Sequence, residues 1–400
     1  MPVNQEPDLV ADVTLENWQT GPHVQWSFQH VDEVVRTAPI LTGDSPTPLL
    51  SAPAPLQDLP VTLNDGSNVS VKWVMDSTDT DGWIVWRGGK VLAEHYPRGM
   101  QPHTRHLLMS VSKSLTGAVA GVLIHQGLLD PARAVASYIP ALATRGYGSA
   151  TVRDLLDMRS GIRFSEEYTD PEAEVRVMEQ VMGWATPTSS DLPGTLYDFL
   201  AGLQQKGPHH GPFEYRSCES DMLGWVCEAA SGRRMTDLLS ELLWSPMGAE
   251  YGAYIGVDSV GNGMYDGAIC TTLRDLLRFG TLLLHGGRST TGVQVLPEAF
   301  ITDTWLGDSE SAAAFANSPT VHLMPGGMYR NQCWFPAADR SVLLCLGIHG
   351  QMVYVNRVTG VVAAKMSSWA DPQHAWKLFS TIRAFDTIGI HLTTPLHHQP

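Results

Sequence analysis

A serine and a lysine three residues apart are the first candidates for chemistry in this 400-residue chain. They are Ser110 and Lys113, and the chain has only six lysines in all. Residues three apart share one face of a helix, so the two side chains can meet. A serine hydroxyl becomes nucleophilic when a base takes its proton, and a lysine is such a base when burial or positive neighbours lower its pKa. The pair therefore indicates a serine nucleophile; the alternative is an N-cap serine beside a solvated lysine.

Two later segments contain the residue types that complete such a site. Tyr215 lies about a hundred residues downstream, and a tyrosine hydroxyl can relay a proton between nucleophile and leaving group. Gln351 lies in a strand-like run of small residues, and its backbone N–H can form an oxyanion hole together with the N–H of Ser110. Taken singly, Tyr215 is compatible with a half-buried aromatic and His349 with a core histidine. Their occurrence together and in this order favours a catalytic site.

The sequence lacks the short motifs of several other enzyme classes. It contains no G-x-x-x-x-G-K-[ST] and no G-x-G-x-x-G after a strand, which argues against nucleotide binding. It contains no H-E-x-x-H, and its histidines show no convincing ligand spacing. The absence of G-x-S-x-G disfavours an α/β-hydrolase. We expect a site that uses no metal and no cofactor.

The motifs S-x-x-K, Y-x-S and H-G-Q, at Ser110, Tyr215 and His349, together resemble those of a known hydrolase family. It is the serine β-lactamase-like, or penicillin-recognising, family, and in particular its class C and family VIII esterase branch. Segments 151–162 and 266–279 resemble flanking segments of the same branch. The likeness extends over most of the chain, so it implies the fold of this family as well as its chemistry.

Within that family the chain is similar to the hydrolases of 6-aminohexanoate oligomers. By this resemblance Ser110 is the acylated nucleophile, Lys113 the base and Tyr215 the proton relay. It also implies that Tyr168 lies on a loop that closes on the substrate amide and hydrogen-bonds its nitrogen. The similar stretches are Leu15–Phe28, His106–Leu115, Glu167–Val175, Gly347–Gln351 and Lys365–Pro372.

The sequence departs from the family pattern at two motifs. The third motif is His349-Gly350-Gln351 instead of K-T-G, which alters the cation that holds a β-lactam carboxylate and disfavours antibiotic hydrolysis. The motif at Tyr215 reads Y-R-S and lacks the amide side chain of many relatives, which we expect to loosen substrate discrimination. We still expect His349, Gly350 and Gln351 to contact the substrate.

Acidic residues follow Tyr168 along the predicted loop. A carboxylate there can attract the free ammonium of an ω-amino acid oligomer, and the alternative is an ordinary solvated loop. Glu179 is the preferred ammonium partner because its neighbours are apolar, and Asp266 is the competing candidate. The other acidic residues of the loop are Asp170, Glu172 and Glu174.

The elements that must position these residues follow an α+β pattern. We predict a β-lactamase/transpeptidase-like antiparallel sheet that is flanked by helices and interrupted by a helical insertion. The predicted elements are a hairpin over 82–96, a helix over 110–127, strands over 341–346, 352–356 and 361–366, and a helix over 372–388. The predicted domains are an N-terminal arm with a Pro-rich linker (1–60), a sheet domain (61–131 plus 262–400) and a mostly helical insertion (132–261).

Composition and charge restrict the partners. Apolar residues make up 43% of the chain and the formal net charge is −15, which disfavours nucleic acids and anionic membranes. The five cysteines form no C-x-x-C pair, so we expect reduced, mostly buried thiols. Residues 1–8 do not resemble a secretory signal, and we therefore expect a cytoplasmic protein. The sequence leaves open whether the protein is a monomer or a homodimer.

These observations predict a serine hydrolase that cleaves short linear amides and short-chain esters through an acyl-enzyme. One alternative is a family VIII-type carboxylesterase with little amidase activity. A β-lactamase or D-Ala-D-Ala peptidase is less favoured because of the altered third motif. A binding protein without catalysis on the same scaffold is the remaining alternative, and intact Ser110, Lys113 and Tyr215 argue against it.

Overall fold

The computed structural model describes residues 12–394 of the chain. The prediction about residues 1–8 therefore lies outside the described part. None of the helices within 12–394 combines the length and the apolar character that a membrane span requires. All five cysteines are buried and free, as predicted.

Helices and strands alternate irregularly along the described residues. The helices are α1 (Val24–Ser27), α2 (Val31–Val34), α3 (Val71–Ser77), α4 (Val111–His125), α5 (Val152–Leu156), α6 (Glu174–Val181), α7 (Leu196–Gly202), α8 (Ser217–Ser231), α9 (Met235–Leu239), α10 (Leu273–Leu284), α11 (Glu298–Leu306), α12 (Ser309–Ala316) and α13 (Ala375–Thr393). The strands are β1 (Thr37–Ile40), β2 (Leu50–Ser51), β3 (Pro60–Thr62), β4 (Asn68–Ser70), β5 (Thr80–Arg87), β6 (Lys90–His95), β7 (His106–Leu107), β8 (Ala253–Gly256), β9 (Ile269–Thr271), β10 (Met328–Arg330), β11 (Cys333–Phe335), β12 (Val342–Gly347), β13 (Gln351–Asn356) and β14 (Val361–Ser367).

The main sheet has eight strands in the order β10-β11-β12-β13-β14-β5-β6-β2. Every neighbouring pair is antiparallel except β2 with β6, which is parallel. The predicted hairpin is confirmed as β5 and β6, which turn at Gly88 and Gly89, where φ is +59° and +87°. Such positive φ values suit glycine because it has no Cβ. The predicted C-terminal strands are confirmed as β12, β13 and β14.

Helices cover both faces of this sheet, so successive residues of its central strands enter two different cores. In β13, Val353 and Val355 pack into the core on the side of α10, whereas Tyr354 packs into the core on the side of α13. Side chains alternate between the faces of a strand, and here both faces are apolar. This layered arrangement confirms the predicted α+β class.

The remaining strands belong to two smaller sheets. One has the order β1-β8-β9-β7 and joins residues from both predicted flanks of the helical insertion, and β3 pairs with β4 in the other. The segment described from the sequence as an arm thus supplies β1 and β2, which are edge strands of two to four residues. Strands this short show no periodicity, and Pro39 is tolerated in β1 because that strand lies at an edge. The domain boundaries remain a prediction.

Helix α4 lies at the centre of the molecule and is buried from Val111 to Leu123. Two glycines allow this burial. A Cβ on Gly121 would lie 2.6 Å from the ring of Phe300, and one on Gly117 would lie 3.0 Å from the Asn331 carbonyl oxygen. Close packing on all sides fixes the helix, and therefore fixes the serine that precedes it.

Candidate active site

The nucleophile candidate follows a tight turn. Met109 has a positive φ of 46°, a value that is uncommon outside glycine, and α4 begins two residues later. The turn places Ser110 at the helix N-terminus, where it lines a cavity although only 8% of its surface is exposed. Within residues 12–394 its backbone N–H has no hydrogen-bond acceptor. This free N–H supports its predicted place in an oxyanion hole.

Lys113 lies one helical turn further and is buried against Ser110. Its Nζ is 2.8 Å from Ser110 Oγ and 3.1 Å from Ser217 Oγ. It also lies 2.9 Å from the carbonyl oxygen of Asp266 and 3.2 Å from Asp266 Oδ2. The predicted pair is therefore in contact, and Asp266 supplies a carboxylate to the lysine.

The electrostatics of Lys113 differ from the sequence-based expectation of a lowered pKa. Burial lowers the pKa of Lys113, but the acidic groups around it, with Asp266 first among them, outweigh burial and raise it. The resting lysine is consequently cationic. The sequence did not reveal this because the carboxylates come from distant segments.

Asp221 on α8 supports the same ion pair. Its Oδ1 accepts a hydrogen bond of 3.1 Å from the backbone N–H of Asp266. Burial and the adjacent Asp266 carboxylate raise the pKa of Asp221 well above its usual range. Two buried carboxylates thus lie beside one lysine, and repulsion between them favours a proton on Asp221.

Tyr215 precedes α8 and faces Lys113. The Lys113 Nζ lies 5.1 Å from the centre of the Tyr215 ring, which stacks on Trp334 at 5.3 Å. Burial raises the pKa of Tyr215; Lys113 opposes this rise and Glu166 adds to it. The hydroxyl is therefore protonated at neutral pH, which suits a group that must donate a proton to a leaving amine.

The two residues after Tyr215 explain how the Y-R-S motif works without an amide side chain. The Ser217 hydroxyl accepts the hydrogen bond from Lys113. Arg216 is buried away from the cavity and pairs with Glu219 at 3.0 Å.

The third motif forms a sharp turn between β12 and β13. Gly350 has φ of +92°, and a Cβ there would lie 2.3 Å from the Trp369 ring. The Gln351 side chain donates to the Ser367 carbonyl oxygen at 2.6 Å and accepts from the Ser367 N–H at 3.1 Å. These bonds fix the start of β13, so that Gly350 and Gln351 line the cavity beside Ser110.

The structure does not bring the His349 ring to the cavity. The residue has φ of +59° and is buried; its Nδ1 donates to the Trp369 carbonyl oxygen at 2.6 Å, and its ring packs edge-on to Phe28. Burial lowers the pKa of His349 to about 4, so the ring is neutral. Its role is to shape the turn, which corrects the expectation that His349 contacts the substrate.

Glu179 and Asp266, the two predicted ammonium partners, already pair with cations of the protein. Arg176 bonds Glu179 at 2.6 Å and grips the Tyr168 carbonyl oxygen with two guanidinium nitrogens, at 2.8 and 2.6 Å. Asp266 forms an ion pair with Lys113. The described cavity lining includes neither carboxylate. Glu179 thus holds the loop of Tyr168 through Arg176, and Asp266 contributes to the charge of the lysine; binding of a substrate ammonium by either carboxylate stays a prediction.

Glu166 was missed by the sequence analysis. Its carboxylate lines the cavity and accepts hydrogen bonds from the Tyr168 hydroxyl at 2.7 Å and from the backbone N–H of Ser217. Burial raises its pKa, and Lys113 opposes the rise. The available signal was its position two residues before Tyr168, at the start of the same loop.

The cavity has a volume of about 420 Å³ and is mostly apolar. Its reactive end holds Ser110, Glu166, Tyr168 and Tyr215. Its other walls are apolar side chains that could enclose an aliphatic chain, namely Leu323, Met324, Trp334, Leu346, Ile348, Met352, Leu378 and Phe379. No lysine or arginine is found among the described lining residues.

Comparison with known proteins agrees with this geometry. A family model described as Beta-lactamase matches residues 74–378. This chain belongs to the Beta-lactamase family. The family, the fold and the serine hydrolase class predicted from the motifs are thereby confirmed.

Individual relatives refine the assignment to this family. Over 362 residues the chain is 37% identical to the 6-aminohexanoate-dimer hydrolase of Paenarthrobacter ureafaciens, with 90% of each chain covered. A solved structure from Bacillus anthracis with the provisional name 6-aminohexanoate-dimer hydrolase is 26% identical, with a TM-score of 0.87 and coverage of 96% of this chain and 97% of that chain. A family VIII carboxylesterase is 14% identical, with a TM-score of 0.59 and coverage of 79% and 96%. This last similarity shows the fold alone.

Proposed function

We propose that this protein hydrolyses short linear amides of the 6-aminohexanoate-dimer type, and short-chain esters, through an acyl-enzyme on Ser110. The observation that carries the proposal is the 2.8 Å contact between Lys113 Nζ and Ser110 Oγ, whose residue lines an apolar cavity. The 37% identity to a 6-aminohexanoate-dimer hydrolase supports the choice of substrate.

Lys113 must first lose its own proton to solvent; in the acylation step Ser110 Oγ then attacks the carbonyl carbon and its proton passes to the neutral lysine. The N–H groups of Ser110 and Gln351 stabilise the resulting oxyanion. Tyr215 gives its proton to the leaving nitrogen and is reprotonated by Lys113, and the C–N bond breaks. Water then attacks the acyl carbon, and its proton passes through the same groups to Ser110 Oγ. The ester bond to Ser110 breaks, the acid is released and the serine hydroxyl is restored.

The cavity disfavours β-lactam hydrolysis. A β-lactam carboxylate is best held by a lysine or arginine, yet neither is present among the described lining residues, whose one histidine is His374, and His349 is neutral and buried. The alternative with a supporting observation is a carboxylesterase, since the apolar walls also suit a short acyl chain.

The test compares two substrates on the purified protein, 6-aminohexanoate dimer and a 4-nitrophenyl ester of a short acyl chain. We expect hydrolysis of both, and loss of both in the Ser110→Ala variant, with Ser112→Ala as a matched control for a neighbouring hydroxyl. Ester hydrolysis with no amide hydrolysis would favour the carboxylesterase. Hydrolysis of neither by the folded protein would refute the proposal.

A further inference from the structure

The carboxylate of Glu166 has an unusual position for an acidic group. Of residues 12–394, it is the one aspartate or glutamate that lines the cavity. No lysine, arginine or histidine of this part of the chain forms an ion pair with it. Its two oxygens are instead bonded to Ser217 and to Tyr168. A charged group that has no cation of its own and faces the reacting atoms calls for a functional explanation.

The hydrogen-bond geometry fixes which group donates. Glu166 Oε1 accepts the N–H of Ser217, the first residue of the 15-residue helix α8. Glu166 Oε2 accepts the hydroxyl proton of Tyr168 at 2.7 Å. Lys113 and these two donors favour the ionised form of Glu166 against its burial, and an ionised carboxylate can only accept hydrogen bonds, so it imposes the direction of this bond. Tyr168 therefore donates its one hydroxyl proton to Glu166, and only the lone pairs of its oxygen face the cavity.

Both ends of Tyr168 are held in this arrangement. Arg176, itself paired with Glu179, grips the Tyr168 carbonyl oxygen. Glu166 holds the hydroxyl, and Tyr168 lines the same cavity as Ser110. The tyrosine is thus a rigid hydrogen-bond acceptor at the reactive end.

A rigid acceptor distinguishes amides from esters. A secondary amide keeps one N–H throughout acylation, and this N–H loses its water when the substrate enters the cavity. An ester has an oxygen at the same position and no proton to place. An acceptor therefore assists only the amide, whereas a donor at this point would face the amide N–H and repel it.

We propose that Glu166 is a positioning residue that makes the enzyme an amidase, by turning the Tyr168 hydroxyl into an obligate acceptor for the substrate amide N–H. This proposal rests on the function proposed above and names a residue that supports its activity on amides. It requires no new chemical step, since Glu166 gains and loses no proton in the cycle.

The test inverts one hydrogen bond. In Glu166→Gln the side-chain oxygen still accepts the Ser217 N–H, so the amide NH2 faces Tyr168 and donates to it, and the Tyr168 proton then points into the cavity. The substrates are 6-aminohexanoate dimer and the 4-nitrophenyl ester of 6-aminohexanoate, which share the acyl group and its ammonium. We expect kcat/KM for the dimer to fall by about 10- to 100-fold, and kcat/KM for the ester by less than about threefold.

Two further variants separate positioning from other roles. Tyr168→Phe should lose a similar factor on the dimer, and the double variant should lose no more than either single one, because both act through one hydroxyl. Glu167→Gln removes the same charge from an exposed neighbour and should change neither substrate.

Several results would overturn the proposal. Equal losses of kcat/KM on both substrates would assign Glu166 to ammonium binding or to general acylation. A loss of ester kcat with accumulation of the acyl-enzyme would make it a base in deacylation. Additive losses in the double variant, or an unchanged rate on the dimer, would contradict it too. Wild-type protein without activity on either substrate would refute the proposed function instead, so the two failures are distinguishable.

Discussion

Lys113 and Asp266 decide the charge of the site at the scale of single residues. The lysine is completely buried, and burial alone would favour its neutral form. The carboxylate at 3.2 Å, together with the other acidic groups around the lysine, reverses that preference and keeps the lysine cationic. Because a cationic lysine cannot accept the serine proton, we expect kcat/KM to rise with pH.

Removing the Asp266 carboxylate should move that pH dependence. The Asp266→Asn variant loses the carboxylate that does most to stabilise the cationic form of Lys113, while Glu166, Asp221 and Tyr215 remain. The pKa of Lys113 should therefore fall, and the rise of ester kcat/KM with pH should begin at a lower pH. The measurement is a pH–rate profile with an uncharged nitrophenyl ester. Asp170→Asn, an exposed change in the acidic loop, should leave the profile in place. An unshifted limb, or one moved to higher pH, would show that Lys113 is not the base.

At the scale of elements, the β12–β13 turn is the part of the site that depends most on backbone shape. The backbone of Gly350 lies so close to the Trp369 ring that no residue with a Cβ fits there without a shift. The Gln351 side chain forms two hydrogen bonds to β14. In the proposed mechanism the turn positions the backbone N–H of Gln351 and not a side chain. Its demands are therefore steric.

Gly350→Ala should damage both stability and catalysis. The new Cβ meets the Trp369 ring and the positive φ is strained for alanine, so we expect a loss of about 1–3 kcal/mol in unfolding free energy and at least about a tenfold loss of ester kcat/KM. Urea unfolding and kinetics measure the two effects. Gly360→Ala is the matched control, because its φ is +69° but nothing lies within 4 Å of the added Cβ. An equal catalytic loss in both variants would contradict the steric account.

Local patterns predicted the elements that carry the site, and distant contacts determined its electrostatics. The helix of Ser110, the hairpin at Gly88 and the strands β12 to β14 follow from periodicity and turn residues. The partners of Lys113 come from β7–α4, α8 and the turn before β9, and no periodicity links those segments. Glu166 was visible only through its spacing from Tyr168, because its second partner, the Ser217 N–H, comes from the distant helix α8. Glu179 pairs with Arg176, three residues away, a partner that the apolar neighbours of Glu179 do not indicate.

At the scale of the whole molecule, both faces of the sheet are buried, and this burial destabilises the charged form of Lys365. The side chain lies inside the core and donates to the Thr78 carbonyl oxygen at 3.2 Å and to Ser367 Oγ. Burial lowers its pKa to about 7; Asp81 and Asp79 oppose the shift, and Lys377 and Arg98 add to it. Because the folded-state pKa is lower than the unfolded value of 10.5, stability is lost as pH falls from about 10.5 to 7.

Lys365→Met should remove this pH dependence. An apolar side chain of similar length fills the same space without a proton to bind, so we expect the variant to be more stable than wild type at pH 7 by about 1–4 kcal/mol. The difference should shrink at pH 9.5. Urea unfolding at the two pH values measures it, with the exposed Lys90→Met as control. A variant that is less stable at pH 7 would show that the hydrogen bonds of Lys365 outweigh its burial.

The most direct test of the central claim is active-site labelling with a fluorophosphonate, followed by peptide mass spectrometry and assay of the labelled protein. We predict one adduct per chain, on Ser110, with hydrolysis of 6-aminohexanoate dimer and of the nitrophenyl ester lost in proportion to labelling. A Lys113→Met variant should label far more slowly, since its serine lacks a base. Hydrolysis that persists after complete labelling of Ser110, or an adduct on another residue that abolishes it, would contradict the account.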